Sequence, residues 1–346
     1  MPLQTQSIRA QPPLLWGRKA MPLLWVREGN WDILGERGNL ILKDRETLFE
    51  PYCGAGGMGS GFAPYFQITR AVDVLPEAVA TYHANFPGAD VQTRDVHALS
   101  GVRGDFDGIA GIIGGPPCQS WSIINVKRGV GVDPRRELCQ EFMRLVTEIR
   151  PRFFVLENVP FVPKQVKETC RKIGLDNHYT CKTEYLDASH YGAAQTRKRW
   201  LLIGLRNGTI REPRKTQSKT VRDAFQGLHK NWGLMQSRPD MLARLSGVKS
   251  CEWVPISQGG FRNACRLNWD RPSPTIVNLK KVYMIHPDED RNISLAEAAA
   301  LQGFRAGFTW KGTESKIAQM IANAMPVQLA EAIAESLSLD ERRMET

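Results

Sequence analysis

Glu50-Pro51-Tyr52-Cys53-Gly54-Ala55-Gly56-Gly57-Met58-Gly59-Ser60-Gly61 decides the fold of this 346-residue chain. Glycines let a backbone take positive φ and approach a ligand closely, so the stretch is a strand-to-helix turn. Gly54, Gly56 and Gly59 spell G-x-G-x-x-G. Alone that pattern is weak, and a nicotinamide-dependent dehydrogenase could claim it.

Outward from this turn, strands and helices alternate over residues 47–205. Runs rich in β-branched residues occur at 68–74, 108–113, 153–156 and 200–205. Between them, Val79, Tyr82, His83 and Phe86 fall at helical spacing after Pro76, and Leu138, Phe142, Leu145, Val146 and Ile149 make a cleaner apolar stripe. This alternation predicts an α/β fold: a Rossmann-like parallel sheet with helices on both faces and ligands at the carboxyl ends of its strands. Helical signal is lost over residues 206–290, read as a small, loop-rich domain. It returns at 294–301 and after Pro326, where Leu329, Ile333 and Leu337 lie one turn apart beside Ala330 and Ala334. Residues 291–346 then form a segment returning to the first domain. Residues 1–46 read as an extension, with short strands at 23–26 and 40–42 and turns at 28–30 and 36–39.

Composition narrows the function classes. Hydrophobic residues are 42% and charged residues 24%, ordinary for a globular protein. No apolar run reaches the ~18 residues of a membrane span, and the start lacks a signal-peptide pattern. Seven cysteines without a Cys-x-x-Cys pair argue against a disulfide framework or a zinc site, and fit a reducing cytoplasm. The net charge of +10 is localised, with nine of the ten charges in residues 206–222 and 262–281. Such a stripe is a footprint for phosphate backbones, although a charge run is as often a solvated face.

Several strand tips carry candidate chemistry. Cys118 follows Gly114-Gly115-Pro116-Pro117 directly after an apolar strand, so a stiff turn presents it as a candidate nucleophile. Asp73 ends one strand, where an acid accepts from ribose hydroxyls. Asp95 follows another and suits an adenine amino group, or simply caps a helix. Glu157-Asn158-Val159 ends the strand at 153–156, and Gln195-Thr196-Arg197-Lys198-Arg199 precedes the strand at 200–205 with Arg197 and Arg199 on one face. Taken singly these are a buried cysteine, a helix cap and surface arginines.

Their order changes the weighing. The series Glu50 to Gly57, Asp73, Asp95, Pro117-Cys118-Gln119, Glu157-Asn158-Val159, Gln195-x-Arg197-x-Arg199, Leu301-Gln302-Gly303-Phe304 and Asn323-Ala324-Met325-Pro326 resembles the C5-cytosine DNA methyltransferase family over about residues 47–337. Residues 118–138 look like its mobile catalytic loop. Arg271-Pro272-Ser273-Pro274-Thr275-Ile276 looks like the end of its target-recognition domain.

The resemblance implies S-adenosylmethionine as cofactor and double-stranded DNA as partner. It implies a monomeric, cytoplasmic and nucleoid-associated enzyme of prokaryotic or phage type, either solitary or acting beside a separate cognate restriction endonuclease. Cys118 would add to C6 of a flipped-out cytosine, and Glu157 would hold N3 and the 4-amino group. Arg199 would bind O2, with Arg197 bracing the Cys118 loop and Gln119 beside it. Tyr52, Cys53, Gly54, Ala55, Gly56, Gly57, Asp73, Val74, Asp95, Val96, Pro116, Asn323 and Ala324 would line the cofactor site. DNA contacts are expected from Ser122, Lys127, Arg128, Arg135, Arg262, Arg266 and Thr275.

The chain departs from the family pattern in places. Glu50-Pro51-Tyr52 stands where Asp-Leu-Phe is usual, Ala322-Asn323 replaces Gly-Asn, and Arg305 stands where proline is common. Ala296 and Ala300 replace arginines, while Arg291 and Glu297 remain. Two other readings are a tRNA-acting branch of the same family, of which the sequence gives no sign, and a catalytically silent nucleic-acid binder, against which Cys118, Glu157 and Arg199 together argue.

Overall fold

The computed structural model describes residues 23–25, 31–33, 45–99, 104–117, 137–228, 232–233, 246–255, 263–277, 279 and 282–338. In chain order the elements are β1 (Leu23–Trp25), β2 (Trp31–Ile33), β3 (Thr47–Pro51), α1 (Gly57–Phe62), β4 (Gln67–Asp73), α2 (Pro76–Asn85), β5 (Asp90–Thr93), β6 (Ile109–Gly114), α3 (Leu138–Ile149), β7 (Phe153–Asn158), α4 (Lys164–Asp176), β8 (Thr180–Asp187), β9 (Lys198–Leu205), α5 (Val221–Phe225), β10 (Trp253–Pro255), β11 (Asn263–Arg266), β12 (Val282–Ile285), α6 (Leu295–Leu301), α7 (Glu314–Asn323) and α8 (Val327–Ser338).

Seven strands form the main sheet in the order β5-β4-β3-β6-β7-β9-β8. The expected parallel arrangement holds from β5 to β7. At β9 it fails, because β9 runs antiparallel to both β7 and β8. Only residues 188–197 join β8 to β9, and a parallel return needs a crossover of a dozen or more residues. Sequence reading missed β8 because, as an edge strand, it keeps polar side chains over most of its length.

Alternation along the strands feeds two cores. Phe153 and Val155 of β7, with Leu201 and Ile203 of β9, pack with Met58 and Phe62 of α1 and Leu329, Ile333 and Leu337 of α8. Phe154, Leu156, Trp200 and Leu202 face the opposite layer, against Phe142 and Val146 of α3 and Cys170 of α4. The α8 stripe is buried as its spacing implies. Helix α2 differs: its buried face is Ala78, Thr81, Tyr82 and Asn85, one position round from the expected stripe, and His83 is exposed. Polar side chains are buried there because they pair with backbone. The Asn85 amide donates to Thr309 O (2.8 Å) and accepts from Thr309 N (3.0 Å), while Thr81 Oγ1 accepts from Lys311 N (3.0 Å).

A second, three-stranded sheet, β10-β11-β12, covers a small core of Val248, Ala264 and Ile285. β1 and β2 pair antiparallel, so the partner of the strand expected at 23–26 is Trp31–Ile33. The strand expected at 40–42 lies outside the described residues, as do both expected turns. Among the described residues no helix is long and apolar enough to cross a membrane, and no cluster of metal-ligating side chains occurs.

The basic stretch after β9 does not all face one way. Because β9 is antiparallel, Leu205 lies opposite Phe153, at the amino end of β7. There the Arg206 amide donates to Arg152 O (2.9 Å), and its guanidinium lies 5.0 Å from the centre of the Tyr179 ring. The chain regains the opposite end of the sheet by Thr216, which donates to His190 O.

Candidate active site

The glycine-rich turn leaves β3 as expected. Gly54 and Gly56 hold φ of 52° and 87°, which a side chain rarely tolerates. Beneath the turn, Glu50 is fully buried. Its carboxyl accepts from Tyr82 OH (2.6 Å) and from Gly59 N (3.2 Å). Burial pushes the Glu50 carboxyl up to about 8, although both hydrogen bonds pull it back. Glu50 therefore supports the turn from below and faces no ligand. Cys53 points into the core, where burial pushes its thiol well up and leaves it inert.

Around the turn stand groups with spare capacity. Asp73 accepts from Gly54 N and from Leu75 N, both at 2.9 Å, one on each oxygen. Each carboxylate oxygen has a second lone pair, so the group can still receive hydroxyls. Burial raises its pKa, opposed by those backbone donors. Val74 beside it is 55% exposed, an apolar surface at a strand tip. Asp95 accepts from His97 N (3.0 Å), so it does cap a short helical turn, yet its carboxylate stays exposed. Val96 and Ala55 are buried in the cores and offer only backbone. Tyr52 is half-buried in the left-handed region (φ 59°), with its hydroxyl donating to Leu138 O (3.1 Å).

From the other end of the chain, the turn after α7 closes the ring. A Cβ on Gly57 would lie 2.7 Å from Met325 O and 2.9 Å from Ala324 Cβ, so this glycine admits the Asn323–Met325 turn. Asn323 is exposed at that edge. The acid, aromatic and amide groups so gathered fit a nucleoside-bearing ligand: acceptors for ribose and adenine, flat apolar surface, and a backbone cradle.

The second half of the site lies at the tips of β7 and β9. Arg199 Nε meets Glu157 Oε1 at 2.6 Å, and both side chains are nearly buried. The other carboxylate oxygen rests on Gly115, where a Cβ would stand 2.6 Å from Oε2. Asn158 Nδ2 donates to Pro116 O (3.1 Å), pinning the Pro-Pro turn that leads to Cys118. Pro116 is itself buried, so its carbonyl is turned to Asn158.

Arg197 lies buried behind this pair. Its guanidinium donates to Ile276 O and Ala322 O, both at 2.7 Å. The Gln195 amide accepts from Ile276 N (2.9 Å) and donates to Gln302 Oε1 (3.1 Å), and Gln302 in turn donates to Ile321 O (2.7 Å). These bonds tie the Gln-x-Arg-x-Arg strand, the end of the second domain and the Asn323 turn into one joint. Sequence reading gave Gln195, Gln302, Asn158 and Tyr82 no role. Their signal was position inside or beside a motif, which does not say what a side chain touches.

One expected DNA contact is corrected. Arg266 is buried, donating to Val248 O (2.7 Å) and His286 O (3.0 Å) and pairing with Asp290, so it holds the second domain together and presents nothing to a base edge. Thr275 Oγ1 donates to Thr196 O (2.7 Å), which leaves its lone pairs to accept. Cys118, Gln119, Ser122, Lys127, Arg128, Arg135 and Arg262 lie outside the described residues.

The sheet and its strand-tip cradle define a Rossmann-like α/β fold, with the paired Glu157 and Arg199 at its mouth. Residues 47–339 match the C-5 cytosine-specific DNA methylase family. The chain belongs to that family and is a DNA cytosine-5 methyltransferase. It is 32% identical to the type II methyltransferase M1.HphI of Haemophilus parahaemolyticus over 84% of this chain and 86% of that protein. It is also 32% identical to the type II methyltransferase M.HgiDI of Herpetosiphon aurantiacus, over 85% of this chain and 95% of that one. Among solved structures, an E. coli prophage-encoded protein described as a DNA modification methyltransferase superposes with a TM-score of 0.73 at 25% identity, covering 86% of this chain and 99% of its own.

Proposed function

We propose that the chain transfers the methyl group of S-adenosylmethionine to C5 of a cytosine flipped out of a short specific duplex sequence, through a covalent bond from Cys118 to C6. The observation that carries this reading is the Glu157–Arg199 pair, packed on Gly115 three residues before Cys118. Cytosine C5 is a poor nucleophile until a thiolate adds at C6. Glu157 holds N3 and accepts from the 4-amino group, and Arg199 donates to O2, so the charge pushed onto the ring meets fixed partners. C5 then accepts the methyl, loses its proton, and the C6–sulfur bond breaks to release 5-methylcytosine. Such an attack needs the base out of its stack.

The fit of the cofactor rests on the residues already described. Asp73 holds ribose, Asp95 the adenine amino group, the Tyr52 ring and Val74 the adenine faces, and Gly54–Gly57 with Asn323 the methionine end. When bound, S-adenosylmethionine supplies an electrophilic methyl on a sulfonium. Residues 47–205 and 291–346 form the catalytic body and residues 206–290 the recognition domain, and the enzyme works as a cytoplasmic, nucleoid-associated monomer. Names of type II relatives support a cognate endonuclease acting separately.

Labelled S-adenosylmethionine with duplex DNA tests the reading. Label is expected in DNA as 5-methylcytosine at one sequence context, read by bisulfite sequencing. Label in adenine, in RNA alone, or nowhere contradicts it.

A further inference from the structure

The hydroxyl of Tyr52 lies between the two halves of the site. Phenylalanine is usual at this position in the family, and only the hydroxyl distinguishes this chain. Tyr52 itself is the last residue before Cys53-Gly54, in a left-handed conformation that costs a side chain ~1–2 kcal/mol. Something must hold it there. Its hydroxyl does so by donating to the backbone carbonyl of Leu138 at 3.1 Å. Burial, and the carboxylates of Glu141 and Asp95 nearby, push the phenol far up, so it stays a donor at any working pH.

Leu138 is the first residue of α3. It stands twenty residues after Cys118 in the sequence. Helix α3 is also held by its apolar face, through Leu138, Cys139, Phe142 and Met143, and by Arg144, which donates to Leu99 O (2.9 Å) and Val96 O (3.1 Å). Glu137, at its N-cap, makes no side-chain cap. The Tyr52 bond joins the first turn to the cofactor cradle.

We propose that the Tyr52 hydroxyl is a positioning group that couples occupancy of the cofactor site to the placement of the first turn of α3, and through Cys139, which meets Asn158 Nδ2 at 3.5 Å, to the Pro116 turn that Asn158 holds. The inference rests on the cofactor reading above, in which the Tyr52 ring lies against adenine. A ring pressed by the ligand cannot tilt, so the hydroxyl bond to Leu138 shortens its range of motion when the site is filled. An empty site leaves the ring free to move with α3.

The test is Tyr52→Phe, which keeps the ring. S-adenosylhomocysteine binding is measured by calorimetry, amide exchange at residues 138–142 is compared with and without it, and single-turnover methylation of DNA is timed. The wild-type protein is expected to gain protection at 138–142 when S-adenosylhomocysteine binds. In the variant that gain disappears and the single-turnover rate falls about fivefold, the size of one neutral hydrogen bond, while affinity stays within about twofold. Unchanged protection and rate in the variant overturn the inference. So does a fall in rate fully accounted for by weaker S-adenosylhomocysteine binding, since the hydroxyl then serves the pocket alone. If the wild-type protein fails to bind S-adenosylhomocysteine, it is the cofactor reading that fails.

Discussion

The strand tips of the seven-stranded sheet and the small three-stranded sheet both carry arginines and carboxylates, and they use them oppositely. At the tips, Glu157 and Arg199 hold each other at 2.6 Å across the mouth of β7 and β9, and Arg199 also donates to Lys198 O (2.8 Å). In the three-stranded sheet, Arg266 donates to the carbonyls of Val248, His286 and Glu289 and pairs with Asp290. Charges of the first kind can exchange partners for a substrate, because each replaces the other's loss. Charges of the second kind are cross-links in a domain whose apolar core is only a handful of residues. A count of basic residues cannot separate the two.

The sharpest way to break this contrast is at Glu157. Glu157→Gln keeps the shape but removes the charge that Arg199 and the base share. Single-turnover methylation is expected to fall by ~10²–10³-fold, with thermal unfolding nearly unchanged. A smaller loss would mean the carboxylate is structural, like Asp290. Gly115→Ala comes next. Its Cβ would stand 2.6 Å from Glu157 Oε2, so the carboxylate must move. A displacement of that order is expected to cost ~10-fold or more in turnover while DNA binding holds. Equal losses in both would place Gly115 in the DNA surface instead.

Arg266→Met tests the other half. Removing a buried arginine that donates to three carbonyls and pairs with one carboxylate is expected to destabilise the fold by about 2–4 kcal/mol, read by denaturant unfolding. The salt dependence of DNA binding should keep its slope, because Arg266 neutralises no phosphate. A slope smaller by about one unit would restore it to the DNA surface.

At Glu50 the test is one of pH dependence. Burial raises its pKa from 4.5 to about 8, so the folded protein retains a proton that the unfolded chain releases. That contribution is complete below pH 4.5 and is lost as pH rises through about 8. Stability of the wild-type protein, relative to Glu50→Gln, should therefore decline between about pH 5 and pH 8. A flat difference would show that Glu50 is ionised beside Tyr82.

Most of the catalytic half was legible because its signals are local. Glycine patterns, apolar runs and the residue after a strand tip are properties of a few adjacent positions, and they located Gly54, Asp73, Glu157 and Arg199. The joint of Gln195, Arg197 and Gln302 was not legible as a joint, since its bonds span separations of up to 125 residues. The reversed direction of β9 was missed because direction depends on the length of a connection and on β8, whose polar side chains hide it. The buried face of α2 was misplaced by one residue because Thr81 and Asn85 are buried for backbone pairing, which hydrophobic periodicity ignores. Arg266 was misread for the same reason as the charge stripe: sequence gives the charge and not its partner.

The central claim is that a thiol set beside Glu157 and Arg199 attacks a cytosine. Duplex DNA carrying 5-fluorocytosine at the methylated position tests it most directly, because fluorine cannot leave C5 as a proton does and the bond to sulfur then persists. Peptide mass spectrometry after incubation with S-adenosylmethionine should find the methylated nucleotide attached to Cys118. An adduct on Cys139 or another cysteine, or none from an enzyme that methylates ordinary DNA, would contradict the account.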